Sequence, residues 1–300
     1  MRTSLNLLAT GVALLVLNFQ LHAQMAYAPA VNYGVGSSPS SVTVADINGD
    51  GKVDLICANR GSVISPTNTL SVLTNNGSGL FGYNATYAVG SAPYSVTAAD
   101  VNGDGHVDLI CANEGYGALS VFTNTGGGGF AFAGTNDVGF EPKSVVASDI
   151  NGDGHVDLIC ANAGIYQLPQ NVLINGNTLS VLTNDSNGSF ALASTLNVGI
   201  GPSSVTTADI NGDGKVDLIC ANSDNTISVL IAVPTPTINL SSINTLVSWP
   251  SGWTNWTLQQ NADLTTTNWS ACSGVIDDGT NQRLTLPSPP GSLFFRLAHP

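Results

Sequence analysis

Apolar and polar residues alternate along this chain in short runs, each closed by a turn. SVTVAD (41–46) alternates strictly, and VDLICAN (53–59) is a more continuous apolar run. TLSVLTN (69–75) alternates again, and after the turn NGSG (76–79) comes a weaker run, FGYNATYAVG (81–90). Short runs rich in Val, Ile, Thr and aromatic residues between Gly and Asn turns predict strands. The set then recurs. VDLICAN returns unchanged in three later places, and TLSVLTN is echoed by ALSVFTN (118–124), TLSVLTN (178–184) and TISVLIA (226–232).

Each repeat therefore predicts four short strands, with DINGDGKVD or a near copy between the first and the second. The first Asp of that loop falls at 46, 100, 149 and 209, at intervals of 54, 49 and 60 residues. The differences lie mainly after CAN, where the chain reads RGSVISPTNT, EGYGA, AGIYQLPQNVLINGNT and SDNT in turn. A unit of about 50 residues with four strands has the period of a propeller blade. The fourth repeat lacks its outer strand, and AYAPAVNYGVGSSPSSV (26–42) matches the outer strand and connection of the other repeats. Residues 25–36 are thus expected to complete the last blade and remove two free edges. An open arc, or two chains pairing into a larger ring, is the competing arrangement.

The acidic loops change the chemical picture. Only 9% of the residues are charged, the formal charge is −13, and twelve of the 20 acids sit in the four loops. That charge argues against nucleic acid as a partner. Oxygen side chains at loop positions 1, 3, 5 and 9, with a backbone carbonyl at 7, suit a hard cation, and Gly at 6 allows the sharp turn. The candidate ligands are Asp46, Asn48, Asp50 and Asp54; Asp100, Asn102, Asp104 and Asp108; Asp149, Asn151, Asp153 and Asp157; and Asp209, Asn211, Asp213 and Asp217. Lys52, His106, His155 and Lys215 contribute through their carbonyls only. About four Ca2+ per chain are expected, since calcium tolerates an irregular shell made mostly of protein oxygens. Position 12 is Cys57 in the first copy, which excludes an EF-hand, and the period excludes nonapeptide calcium repeats. A bare Asx turn needs fewer acids than these loops carry, and gathering the acids without a counter-ion would be repulsive.

With those loops in view, VGSSPSSVTVADINGDGKVDLICAN resembles the FG-GAP/VCBS repeat, the blade unit of integrin-α-type propellers, over residues of about 25–233. The resemblance implies a calcium-binding loop between two strands of each blade. It also implies the company of adhesion proteins, lectins and non-catalytic parts of exported enzymes.

Residues 1–23 read as a secretory leader: MRTSLN with one Arg, an apolar LLATGVALLVLNF, and a cleavage point after Ala23, with Ala28 as a second. The apolar run is shorter than the ~20 residues of a membrane span, and export to the extracellular space or cell surface is expected. Cys57, Cys111, Cys160 and Cys220 hold the same slot in each repeat and are expected to be free, buried thiols, as equivalent positions lie too far apart to bridge. VPTPT (233–237) contains a stiff linker, 234–237, between the propeller (24–233) and a small β-sandwich (238–300) that holds all four Trp. SWP, NW and FFRL in that module resemble reduced fibronectin-III-like modules of exported bacterial repeat proteins. Trp249 and Trp269 are expected in its core. Trp253 and Trp256 are expected to pack under a loop, with a sugar-stacking face as the alternative.

The fold class expected is all-β: a four-bladed propeller of four-stranded blades closed by the N-terminal strand, plus the small sandwich. Outside the leader only His106, His155 and His299 are available as imidazole bases, none in a nucleophile motif, and no Glu pair is set for glycoside chemistry. The expected function is a non-catalytic binding or adhesion module for an extracellular protein or polysaccharide. The alternatives are a lectin-like carbohydrate binder and a scaffold of an exported enzyme. The loops after CAN, above all IYQLPQNVLI (165–174), are the expected partner surface.

Overall fold

The computed structural model describes residues 28–61, 68–167, 172–174, 176–234, 236–240, 244–253, 256–287 and 292–298. The expected leader lies outside the described residues. Met1–Gly34 and Val35–Pro300 form separate compact units. The described part of the first, residues 28–34, has no regular structure.

Val35–Pro300 is built from antiparallel strands. The first sheet runs β1 (Pro39–Ala45), β2 (Asp54–Asn59), β3 (Thr69–Asn75) and β4 (Phe81–Ala88) in sequence order. The second repeats it with β5 (Pro93–Ala99), β6 (Asp108–Asn113), β7 (Ala118–Asn124) and β8 (Phe130–Asp137). In the third repeat β9 (Pro142–Ser148) and β10 (Asp157–Asn162) are followed by a small hairpin, β11 (Ile165–Gln167) with β12 (Val172–Ile174). The third sheet then completes with β13 (Thr178–Asn184) and β14 (Phe190–Asn197). The fourth has three strands, β15 (Pro202–Ala208), β16 (Asp217–Asn222) and β17 (Ile227–Leu230).

The strand pattern dictates how the sheets stack. Successive side chains point to opposite faces, so the apolar run of each second strand supplies both neighbours. Ile56, Ala58, Leu70 and Val72 of the first sheet pack on Val96, Leu109, Cys111 and Phe122 of the second. Ile110, Ala112, Leu119 and Val121 then meet Val145, Leu158, Cys160 and Leu182 of the third. Ile159, Ala161, Leu179 and Val181 meet Val205, Leu218 and Cys220 of the fourth. Burial on both faces is why DLICAN reads as an unbroken apolar run rather than an alternating one.

The Asn of CAN has a role in this stacking. Asn113 Nδ2 donates to Ser120 Oγ at 2.9 Å, and the side chain lies against Gly90, where a Cβ would sit 2.7 Å from Asn113 Cγ. The same close approach recurs at Gly36, Gly139 and Gly199, so the connection into each sheet needs Gly at that point. All five cysteines are free, and the four in the repeats are buried.

The closing strand expected over 25–36 is not formed: residues 28–38 hold no strand, and 25–27 lie outside the described residues. β17 pairs with β16 alone among the described strands, and the first and fourth sheets leave their outer faces open.

Beyond β17, β18 (Thr237–Leu240), β19 (Asn244–Pro250), β20 (Thr257–Asn261), β21 (Ser270–Ala271), β22 (Ile276–Asp277), β23 (Asn281–Pro287) and β24 (Phe294–Ala298) form two sheets, ordered β18-β19-β23-β22 and β21-β20-β24. They share a core of Val247, Trp249, Trp253, Leu258 and Leu284, with Trp256 packed against it. Trp269 is not in that core, contrary to expectation: it is half-buried, with the Arg296 guanidinium 4.4 Å from its ring centroid. Trp253 is buried, and its ring meets Trp256 edge-on at 6.2 Å, so the pair offers no flat exposed platform for a sugar. Lys215 Nζ lies 5.4 Å from the Trp253 centroid, joining the last acidic loop to this part of the chain.

Candidate functional site

In a meander of four antiparallel strands, the first and third turns lie at one end of the sheet and the second at the other. The acidic loops therefore share an end with the β3–β4 type turns. The loops after CAN lie at the opposite end, with the connections between sheets.

Each acidic loop is folded by its own carboxylates. Asp46 Oδ1 accepts from the amides of Gly49 and Asp50 at 2.9 and 3.2 Å, and Oδ2 accepts from Gly51 at 2.8 Å. Asn48 Oδ1 accepts from Asp50, and Asp50 Oδ1 from Lys52. Asp100, Asp149 and Asp209 receive the equivalent bonds from Gly103 and Gly105, Gly152 and Gly154, and Gly212 and Gly214. The two glycines in the first loop, Gly49 and Gly51, have φ of 75° and 79°, the left-handed backbone that aims successive amides at one carboxylate.

Position 9 differs from the rest. Asp54, Asp108, Asp157 and Asp217 are fully buried, each bridging two segments. Asp108 Oδ2 accepts from Val101 in its own loop at 2.9 Å, and Oδ1 from Asn124 at the end of β7 at 2.7 Å. Burial pushes the Asp108 carboxyl above its ordinary range despite those amides, and the charges of Asp104 and Asp100 push it further. Asp157 is raised for the same reasons, with Asp153 and Asp149 beside it. Asp104 and Asp153, by contrast, are held below the ordinary range, chiefly by the amides of His106 and His155. Each of these loops thus carries one carboxylate that is easily kept ionised and one whose charge is costly.

The structure places each expected ligand residue in or at the end of its acidic loop, with the carboxylates of positions 1 and 9 engaged by backbone amides. The donor set is all hard oxygen, and a carboxylate that accepts two or three amides still has a lone-pair site to give. It does not gather three or more Asp, Glu, His or Cys side chains into a metal-holding cluster anywhere among the described residues. His106 is exposed and His155 half-buried, with their amides turned to Asp104 and Asp153.

At the opposite end lie residues that the repeat pattern gave no reason to single out. Glu114 pairs with both Arg60 and Lys143, and Lys143 also reaches Glu141 at 3.5 Å. Lys143 Nζ and Arg60 Cζ sit 4.6 and 5.4 Å from the ring centroid of Tyr94. Beside them a cleft of about 460 Å3 is lined by Glu141, Lys143, Gly164, Ile200 and Asp224 among others. The signal in the sequence was the break in repetition: Tyr94 and Lys143 stand where the other repeats have Ser40 and Ser203. Of the expected loop 165–174, residues 168–171 lie outside the described residues.

No curated protein matches the chain. Among solved structures, a BBS1N–ARL6DN complex matches at 11% identity and a TM-score of 0.42, covering 72% of this chain and 64% of that one. A functionally unknown protein from Desulfotomaculum acetoxidans DSM 771 matches at 13% identity and a TM-score of 0.45, covering 73% and 68%. A Tc holotoxin pore of Photorhabdus luminescens matches at 19% identity and a TM-score of 0.37, covering 71% of this chain and 10% of that one. The chain thus spans less than two thirds of the matched chain in the BBS1N–ARL6DN complex. A family model for the FG-GAP-like repeat matches residues 46–111, 100–160 and 168–220, three windows that run through all four acidic loops. Repeated four-stranded sheets, one acidic loop in each and that match agree: the chain belongs to the FG-GAP-like repeat family.

Proposed function

We propose that this protein is an exported, non-catalytic binding module whose four acidic loops each hold one calcium ion as a structural element. The observation that carries the reading is the fourfold recurrence of one all-oxygen donor set, each copy folded by the same amide-to-carboxylate bonds. Position 1, 3, 5 and 9 side chains and the carbonyl at 7 would hold the ion. Bound there, it would offset the mutual repulsion of three carboxylates and fix the β1–β2 type connection of every sheet.

Partner recognition belongs to the opposite face. There the loops after CAN vary among repeats while the scaffold beneath them does not. Tyr116 is the most exposed large apolar side chain of the described residues, and it projects from the second of these loops. The partner class proposed is an extracellular protein or polysaccharide. The buried Trp253 argues for the loop face over the C-terminal Trp pair as its contact surface.

Metal analysis of calcium-loaded, exhaustively desalted protein tests the first part, with one calcium per loop expected and a metal-free protein overturning it. A screen of glycans and matrix proteins tests the second. Tyr116→Ser and replacement of 165–174 by a short Gly turn should abolish any hit, and a hit untouched by both would move the binding surface elsewhere.

A further inference from the structure

The two ends of the sheet array carry matching halves of the contacts that join its sheets internally. Val96, Val145 and Val205 hold one repeat position and are 5%, 3% and 3% exposed, whereas Val42, their counterpart in the first sheet, is 64% exposed. At the other end, Ile227 and Val229 are 69% and 52% exposed, although their counterparts Leu119 and Val121 are buried. The apolar residues are the right type for a junction, and each lacks the sheet that covers its equivalents.

Polar contacts repeat the pattern. The amides of Val96, Val145 and Val205 lie 3.3, 3.4 and 3.2 Å from Ser41, Ser95 and Ser144 Oγ of the preceding sheet. Continuing the series assigns Ser204 Oγ, on the last sheet, to a Val42 amide. Asn124 Nδ2 donates to the Ile47 carbonyl and Asn184 Nδ2 to the Val101 carbonyl, each across a sheet junction. The series leaves Asn75 on the first sheet and the carbonyl of Ile210 on the last, where Ile210 itself is 49% exposed.

We propose that a second copy of this chain docks head to tail, with the fourth sheet of each copy packed on the first sheet of the other, closing a ring of eight sheets. One chain cannot supply the junction in this structure, because its own Val42 and Val229 both remain open. The second copy is the occupant because it alone presents the same register of Val and Ser that already forms every internal junction, together with the Asn link that joins the first three sheets. A heterologous contact closes only if its rotation allows, and two copies give eight sheets, the upper end of the ordinary propeller range, whereas three would exceed it. The apolar ends then leave water, as such patches do at interfaces.

Sedimentation of the calcium-loaded mature chain at micromolar concentration tests this. Twice the chain mass is expected. Val42→Glu and Val229→Glu place charge at opposite ends, on side chains already exposed, so neither should disturb the fold of one copy; matching far-ultraviolet spectra check that. Each variant alone should be monomeric, since every junction in its ring contains a damaged half. Mixing the two should restore a two-chain species, joined by the one junction made from an intact half of each. A monomeric wild-type chain, a dimer indifferent to both variants, an indefinite ladder of larger species, or failure of the mixture to associate would each overturn the proposal.

Discussion

Asn124 and Ile47 are 77 residues apart and belong to neighbouring sheets, yet Asn124 Nδ2 donates to the Ile47 carbonyl at 2.8 Å. The same amide group donates to Val107 at 3.0 Å, and the Asn124 backbone amide donates to Asp108. One residue at the end of β7 therefore fastens the acidic loop of its own sheet and that of the sheet before it. Asn184 does the same for Val101 and Val156.

Truncating this link should cost stability. Asn124→Ala leaves the buried Ile47 segment with an unsatisfied carbonyl, a penalty of about 1–3 kcal/mol. Urea unfolding should show the loss with and without chelator, since no proposed metal ligand is removed. An unchanged midpoint would mean that the junctions are held by apolar contact alone.

Two acids of one loop should separate the roles of carboxylate and cation. Asp108 is buried and receives two amides, so Asp108→Asn turns an NH2 group toward a backbone donor. It should destabilise by about 1–3 kcal/mol even in excess chelator. Asp104 is exposed and bonded only within its loop. Asp104→Asn should leave the melting temperature in chelator unchanged and reduce the rise on adding calcium. If the two variants behave alike in chelator, position 9 is not the structural acid assigned here.

Calcium should raise the melting temperature of the wild type. An ion that binds only the folded state adds about 2.7 kcal/mol per site at a hundredfold excess over Kd. Thermal melts with calcium and with chelator check it, and identical curves would reduce the loops to bare Asx turns.

Much of this was legible because the repeat imposes it. VDLICAN predicts a strand, and DLICAN forms β2, β6, β10 and β16 at the same place in every repeat. What escaped depends on residues distant in sequence. The reason for the Asn of CAN lies in Gly90 and Ser120, which both meet the Asn113 side chain. Trp269 is expected in the core with Trp249, but its partner is the Arg296 guanidinium on β24, a residue 27 positions away that nothing local to Trp269 announces. The closing strand rested on a true sequence match between 26–42 and the other connections, but a match in pattern does not say which sheet edge, or which copy, takes the strand.

Trp253 supplies a prediction that separates packing from recognition. It is buried beside Trp249, so Trp253→Ala should destabilise the C-terminal sheets by about 3–5 kcal/mol, as large cavities do. Trp269→Ala should cost far less. Limited proteolysis beyond residue 237 reads both, and equal protection in the two variants would contradict the burial order.

The repeat thiols predict how stability changes in alkali. Burial pushes Cys111 and Cys160 far above the ordinary thiol range and Cys220 up to about 11. A raised folded pKa means that the folded chain keeps its proton where the unfolded chain has lost it. Their contribution is therefore fully present below the unfolded thiol pKa of about 8.5 and is lost as pH rises above it. Each pH unit in that window costs up to about 1.4 kcal/mol per thiol. The urea midpoint should fall between pH 8 and 10, and Cys111→Ala with Cys160→Ala should flatten the slope while lowering the midpoint at neutral pH through lost packing. The same burial predicts that a thiol reagent labels Cys272, which is only half-buried, before Cys111 and Cys160 in the native protein. Parallel slopes for wild type and variant, or equal labelling of all five sites, would mean that the sheets open too freely for DLICAN to be the buried strand described here.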